Sequence, residues 1–389
     1  LESPFAAAGL TPVAKDGVYM SLEDSWIGAL TAVPFHLATL ANNHILDYGF
    51  AGLARTQSIL RDNGIDFCGA GASQHEWTAP WRRKVGESEL AVINVAEGEE
   101  GKAEGSGGGV APFDVPAVCE RIRSLRAENA LVVVIAHAGR EHLPIPAPYI
   151  RDAYRAWADA GAHLVVGHHP HVPQGMERWG GGTIYYSLGN FVMWMDSQQA
   201  LHNLGICLQA RFTNSALAGT EVIPFNIHPN GLTRLRAGVA DLFHTQFERL
   251  STLITEPEKL ETVWAAFADR WFETSGVAEI AESAALLAGP RRMAQTLVKL
   301  MAAGSAGNGF AARLKQKLLW RLNAFLQGGV SSIPPAAERR NAAAILRNRF
   351  DTLAHRELYL LALKRVMTGE AGTTPDWAKA LLDEWGSVD

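Results

Sequence analysis

The sequence predicts an α/β domain followed by an all-helical region, and three observations carry that prediction. Up to about Pro229, short apolar, β-branched runs alternate with helical-looking stretches, the pattern of a layered α/β domain. After about Asn230, Ala, Leu, Arg, Glu and Gln dominate and the β-branched runs disappear, the texture of amphipathic helices. The chain has 389 residues, beyond the size at which one hydrophobic core keeps growing. The expected division is therefore 1–230 and 231–389.

In chain order, strands are expected at 36–40, 90–95, 131–136, 163–166, 183–186, 205–212 and 222–227, with helices filling the gaps at 49–63, 114–128 and 148–160. The last helix carries Tyr149, Ala153, Ala156, Trp157 and Ala160 at helical spacing, an apolar stripe to lay against a sheet. Residues 97–109 are too glycine-rich for regular structure and read as a mobile loop. They lack the strand and helix context of a phosphate-binding P-loop. In the second half, 328–335 reads as a break between helices, and 342–367 shows amphipathic periodicity.

Composition narrows the function classes. Apolar residues make up 48% and charged residues 19%, a globular balance far from that of disorder. A net charge of −5 with no basic stripe argues against nucleic acid as a partner. Cys68, Cys119 and Cys207 lie far apart, so they suggest neither a disulfide framework nor a thiolate zinc site and are expected as small buried hydrophobes. The longest apolar runs, such as 131–136 and 342–346, are too short to span a bilayer.

Chemistry concentrates where histidines follow apolar strands, the strand ends at which open α/β sheets bind ligands. Leu164 to Val172 reads Leu-Val-Val-Gly-His-His-Pro-His-Val. In an extended backbone alternate residues share a face, so His169 and His171 are expected to point at one ion and His168 away from it. Pro170 would stiffen that geometry, and imidazole nitrogens suit divalent metals. The run Leu131 to Ala136 ends in His137 with the same layout, which makes His137 a candidate third nitrogen ligand, although a lone strand-end histidine is more often structural. Arg140, three residues on, suits a phosphate or carboxylate of the substrate, or else pairs with Glu141. In Asn42-Asn43-His44, an asparagine carbonyl is a reasonable oxygen ligand and the histidine a general acid. The same residues also suit a turn, with Asp47 capping the helix from Gly49. Ser187 lacks the G-x-S-x-G elbow of a hydrolase nucleophile.

Taken in order, several motifs resemble the CapA family of capsule and poly-γ-glutamate synthesis proteins, related to calcineurin-like metallophosphoesterases. They are Leu1-Glu2-Ser3-Pro4, Ala41-Asn42-Asn43-His44 with Asp47 and Gly49, His137 with Gly139 and Glu141, Gly167-His168-His169-Pro170-His171-Val172 with Gln174, and Ser187-Leu188-Gly189-Asn190-Phe191. The resemblance covers roughly the first 230 residues. It implies a four-layer α/β/β/α sandwich with one or two divalent ions, Mn, Zn, Fe or Mg, at the strand ends. By that likeness Asn43, His137 and His169 serve one ion and His171 the other. Glu2 is the carboxylate ligand and His44 the proton donor near the substrate. The family's first strand, ending in a metal-binding Gly-Asp, has no counterpart ahead of Leu1, so a sheet edge is expected to be left uncovered.

The function implied is metal-assisted hydrolysis or transfer at a phosphoester or related bond, in the synthesis of an anionic surface polymer. Expected partners are that polymer or a phosphoester substrate and a membrane polymer-synthesis complex, and the family points to the cell envelope. The alternative is a non-catalytic synthesis or export accessory, or a partner-binding protein, with a vestigial metal site.

Overall fold

The computed structural model describes residues 1–6, 9–15, 17–97, 107–197, 200–213, 216–276, 279 and 352–385. Residues 98–106 of the glycine-rich segment, the break expected at 328–335 and the start of the periodic stretch at 342–351 lie outside these. The chain divides into two compact units: Leu1–Val13 with Gly17–Pro257, and Ala14–Asp16 with Glu258–Asp389.

The first unit contains strands β1 (Leu37–Thr39), β2 (Asp66–Cys68), β3 (Ala70–Gly71), β4 (Trp81–Val85), β5 (Ser88–Ala96), β6 (Gly109–Val110), β7 (Leu131–His137), β8 (Leu164–His168), β9 (Met176–Trp179), β10 (Gly182–Tyr185), β11 (Leu204–Phe212), β12 (Leu217–His228) and β13 (Gly231–Arg234). Its helices are α1 (Ile27–Thr31), α2 (Gly49–Asp62), α3 (Gln74–Thr78), α4 (Val115–Ala127), α5 (Pro148–Asp159) and α6 (Ala237–Thr255). The main sheet has six strands in the order β4-β5-β7-β8-β10-β9, with a parallel centre (β5, β7, β8, β10) and antiparallel edges. A second, antiparallel sheet runs β11-β12-β13.

Why these segments pair follows from their burial. The central strands are apolar on both faces, as parallel strands covered on both sides must be. Val92, Val133, Leu164, Val166 and Tyr185 face Ile206, Leu208 and Val222 of the second sheet, in a core that also takes Phe243 and Phe247 of α6. On the opposite side α4 and α5 pack against β7, β8 and β10. The result is the expected α/β architecture, helices on one face of the main sheet and a second sheet on the other. Between β1 and the main sheet, Asn94 of β5 acts as a clasp: its Oδ1 accepts from the Ala41 N–H (2.7 Å) and its Nδ2 donates to the Ile135 carbonyl (3.0 Å).

Several details differ from the sequence expectation. Gly231–Arg234, placed at the start of the helical half, is a strand paired with β12, and α6 belongs to the first unit through Phe243, Phe247 and the Ser251 hydroxyl, which accepts from the Met176 N–H (2.9 Å). Cys68 and Cys119 are buried but Cys207 is exposed, because it alternates outward on β11. Of the stripe expected on α5, Ala153, Trp157 and Ala160 are buried, joined by Ile150, Tyr154 and Ala158, while Ala156 is only partly buried and Tyr149 turns its hydroxyl to Glu97 instead.

The second unit is helical in its described part: α7 (Pro257–Trp271), one π-helical turn (Phe272–Gly276), α8 (Leu353–Thr368) and α9 (Asp376–Trp385). Asp269 organises it, accepting two bonds from Arg365 (2.8 and 2.9 Å) and one from the Gly372 N–H (2.9 Å). Among the described residues no helix is long and apolar enough to cross a membrane.

Candidate metal centre

The histidine segments lie beyond the carboxyl ends of β1, β7 and β8, side by side because β7 pairs β8 with His137 opposite His168. The loops are stitched together: the Ala138 N–H donates to the His168 carbonyl (3.0 Å) and the His142 N–H to the Pro170 carbonyl (2.8 Å). Gly167 is required by this closeness, since a Cβ there would lie 1.9 Å from the Tyr186 carbonyl oxygen just after β10.

The structure brings Glu2, Asn43, His137, His169 and His171 together. His137 Nε2 lies 2.9 Å from Asn43 Oδ1, 3.1 Å from His169 Nδ1 and 3.4 Å from Glu2 Oε1. Glu2 Oε1 is also 4.0 Å from Nε2 of both His44 and His171. It is buried and has no hydrogen-bond partner. Two facing imidazole nitrogens beside an orphan carboxylate oxygen fit a divalent cation, since the spacings match the edges of a coordination shell with ~2.0–2.2 Å bonds. A second group of donors within mutual reach is Glu141, His169 and His171, with Glu141 Oε1 4.0 Å from Nε2 of each histidine.

Electrostatics favour the forms a metal needs. Burial alone would raise the Glu2 carboxyl, but the imidazoles of His137, His171 and His44 hold it well below the usual range. Burial pushes His137 down to about 3 against the opposing pull of Glu2. A charged carboxylate beside a neutral imidazole is the protonation state of metal ligands. Burial likewise pushes His168 and His142 down to about 4 each.

The expectation of strand alternation at His169 and His171 is corrected. The strand ends at His168, and both histidines adopt left-handed backbone, φ +96° and +59°, so Pro170 sits in a turn rather than an extended segment. Their rings nonetheless lie on one side, 6.0 Å apart. Asp47 does not cap α2, whose N-cap is Tyr48. Asp47 Oδ2 instead lies 2.9 Å from His44 Nδ1 and accepts from the Met20 N–H (2.7 Å). Asn42 forms the turn, its Oδ1 accepting from the N–H groups of His44 (2.9 Å) and Ile45 (2.8 Å). Arg140 is half-buried, its charge bearing on Glu141 and His142.

Sequence reasoning missed Asn190, whose Oδ1 is 2.8 Å from His171 Nδ1, and gave Glu141 no ligand role of its own. The signal for Asn190 was available: it follows an apolar strand, as His137 and His168 do. His142 and His202, with rings 4.5 Å apart, were also passed over.

The family described as bacterial capsule synthesis protein PGA_cap matches residues 1–195. The PGA biosynthesis protein CapA of Bacillus subtilis is 29% identical over 54% of this chain and 56% of its own length. The capsule biosynthesis protein CapA of Bacillus anthracis is 29% identical over 55% and 53%. This chain therefore spans about half the length of these curated relatives. A "probable polyglutamine synthesis accessory protein" of Mycobacterium tuberculosis is 27% identical over 68% of this chain and 76% of that one. Among solved structures, a hypothetical protein from Thermus thermophilus aligns with a TM-score of 0.38 at 15% identity, over 53% of this chain and 82% of that chain.

Proposed function

The chain belongs to the bacterial capsule synthesis protein family PGA_cap, and from that premise we propose that it is a metal-dependent enzyme of surface-polymer synthesis. The reaction proposed is hydrolysis or transfer at a phosphoester or related bond. The observation that carries the reading is the convergence of Glu2, Asn43, His137, His169 and His171, with the buried Glu2 Oε1 3.4 Å from His137 Nε2. These residues would hold one or two divalent ions, which supply Lewis-acid charge against the negative charge that develops on the reacting group.

The remaining residues act around that centre. Asp47 fixes the His44 ring through Nδ1 and leaves Nε2 on the side of Glu2. From there His44 Nε2 donates a proton to the departing oxygen. Arg140, beside Glu141, meets a phosphate or carboxylate of the substrate with a planar fork of donors. The relatives named for PGA and capsule biosynthesis favour an anionic surface polymer, or an activated precursor of it, as the substrate class.

The test is metal content and turnover of a chromogenic phosphodiester with added manganese. His169→Ala should lose both, whereas His44→Ala should keep its metal and lose ~10²–10⁴-fold in turnover, the usual worth of a general acid. Undiminished turnover in His169→Ala would refute the metal mechanism. A metal-loaded chain with no turnover would favour the accessory role that the mycobacterial relative's name describes.

A further inference from the structure

Among the described residues the donors at the strand ends fall into two groups of mutually close atoms: Glu2 with His137 and His169, and Glu141 with His169 and His171. Glu141 belongs only to the second. Its Oε1 lies 4.0 Å from Nε2 of His169 and 4.0 Å from Nε2 of His171. Both gaps exceed hydrogen-bond length, so no shared proton joins these atoms. Two bonds of ~2.0–2.2 Å to one ion span up to ~4.4 Å, so the same gaps admit a divalent cation.

The surrounding contacts turn the donors toward one another. Asn190 Nδ2 donates to the His202 carbonyl (3.2 Å), which leaves Oδ1 facing His171 Nδ1 at 2.8 Å. An amide oxygen only accepts, so Nδ1 carries the ring proton and the Nε2 lone pair faces the Glu141 carboxylate. A histidine held from behind by an oxygen acceptor is the usual arrangement of a metal ligand. The His142 N–H donates to the carbonyl of Pro170 (2.8 Å), the residue between the two histidines, and this bond sets Glu141 opposite them. His169 takes part in both groups through different nitrogens: Nδ1 is 3.1 Å from His137 Nε2, and Nε2 faces Glu141.

We propose that Oε1 of Glu141, with Nε2 of His169 and of His171, holds a second divalent ion, linked through the His169 ring to the ion of the Glu2 and His137 group, one nitrogen to each. The linking ring is an imidazolate, whose one N–H proton passes to solvent as the second ion binds. The link rests on the metal reading of the Glu2 and His137 group; the Glu141 site rests on its own three donors.

The experiment is titration of the full chain with copper(II), which imidazole binds well, on the wild type, Glu141→Gln, Glu141→Ala and His137→Ala. Bound metal is counted after dialysis, and its electron paramagnetic resonance is read in frozen solution. The wild type should bind two equivalents, and the second should diminish the signal of the first, because spins on the two nitrogens of one imidazolate couple. Glutamine keeps the shape of Glu141 without its charge, and alanine shortens a side chain that is 42% exposed, so both variants should keep the wild-type far-UV circular dichroism. Each should bind one equivalent, with an uncoupled signal. His137→Ala should also bind one, the ion of the Glu141 group. Two equivalents in either Glu141 variant, or two uncoupled ions in the wild type, overturn the proposal. A wild-type chain that binds one equivalent, kept by both Glu141 variants and lost from His137→Ala, overturns it and leaves the main centre standing. A wild-type chain that binds no copper overturns both readings.

Discussion

Asn190 and His168 show how single residues divide the work around the centre. The Asn190 amide oxygen meets His171 Nδ1 at 2.8 Å and leaves Nε2 on the side of Glu2 and Glu141. Groups that orient a ligand from behind typically matter by ~10–100-fold in metal affinity, and Asn190→Ala should weaken metal binding by about that factor. Metal titration of the variant checks this, and unchanged affinity would mean that packing alone holds the His171 ring. His168 ends β8 and belongs to neither group of mutually close donors. His168→Ala should therefore retain its metal where His169→Ala and His171→Ala lose theirs. Equal loss in all three variants would place His168 among the ligands.

At the scale of elements, the connection from β7 to α5 carries Gly139, Arg140, Glu141 and His142, and one buried side chain pins both of its ends. Glu97, at the end of β5, accepts from the Gly139 N–H (2.9 Å) and from the Tyr149 hydroxyl (2.8 Å). Removing it leaves a buried N–H without its acceptor, which costs about 1–3 kcal/mol. In a unit of this size that is on the order of 2–4 °C in Tm for each kcal/mol. Glu97→Ala should show this loss in thermal unfolding, and Glu97→Gln should recover part of it, since its amide oxygen still accepts from Gly139. A Glu97→Ala chain as stable as the wild type would show that other contacts hold the connection.

At the scale of the whole molecule, the first unit reaches Pro257 and not 230. Helix α6 closes the end of the core between the two sheets with Phe243 and Phe247. A chain ending at Pro257 should be soluble and melt cooperatively. One ending at Asn230 should aggregate, having lost β13 and α6 and uncovered Tyr185 and Met176. Within the full chain, Phe247→Ala should cost ~3–5 kcal/mol as a large core truncation. Size-exclusion chromatography and thermal melts of both truncations decide the matter, and a cooperative melt from the shorter chain would refute it.

The order of the α/β elements and the three histidine-bearing segments were legible in the sequence because burial leaves a local trace. Strands β5, β7, β8 and β10 lie where apolar runs predict them, since strands covered on both faces must be apolar throughout, and β11 and β12 lie where expected with exposed residues interspersed along them. Strands β4 and β9 left no such trace: β4 is an exposed edge reading Trp-Arg-Arg-Lys-Val, and β9 is a short hairpin arm before Gly180 and Gly181. Only the tertiary structure decided that His169 and His171 converge through left-handed turns instead of strand alternation. It alone brought Glu141, Asn190, His142 and His202 to the same strand ends. The physical reason is that a strand's pattern records which of its faces is buried. The meeting of side chains from separate loops depends on sheet order and on a few backbone dihedrals, and neither is written in local periodicity.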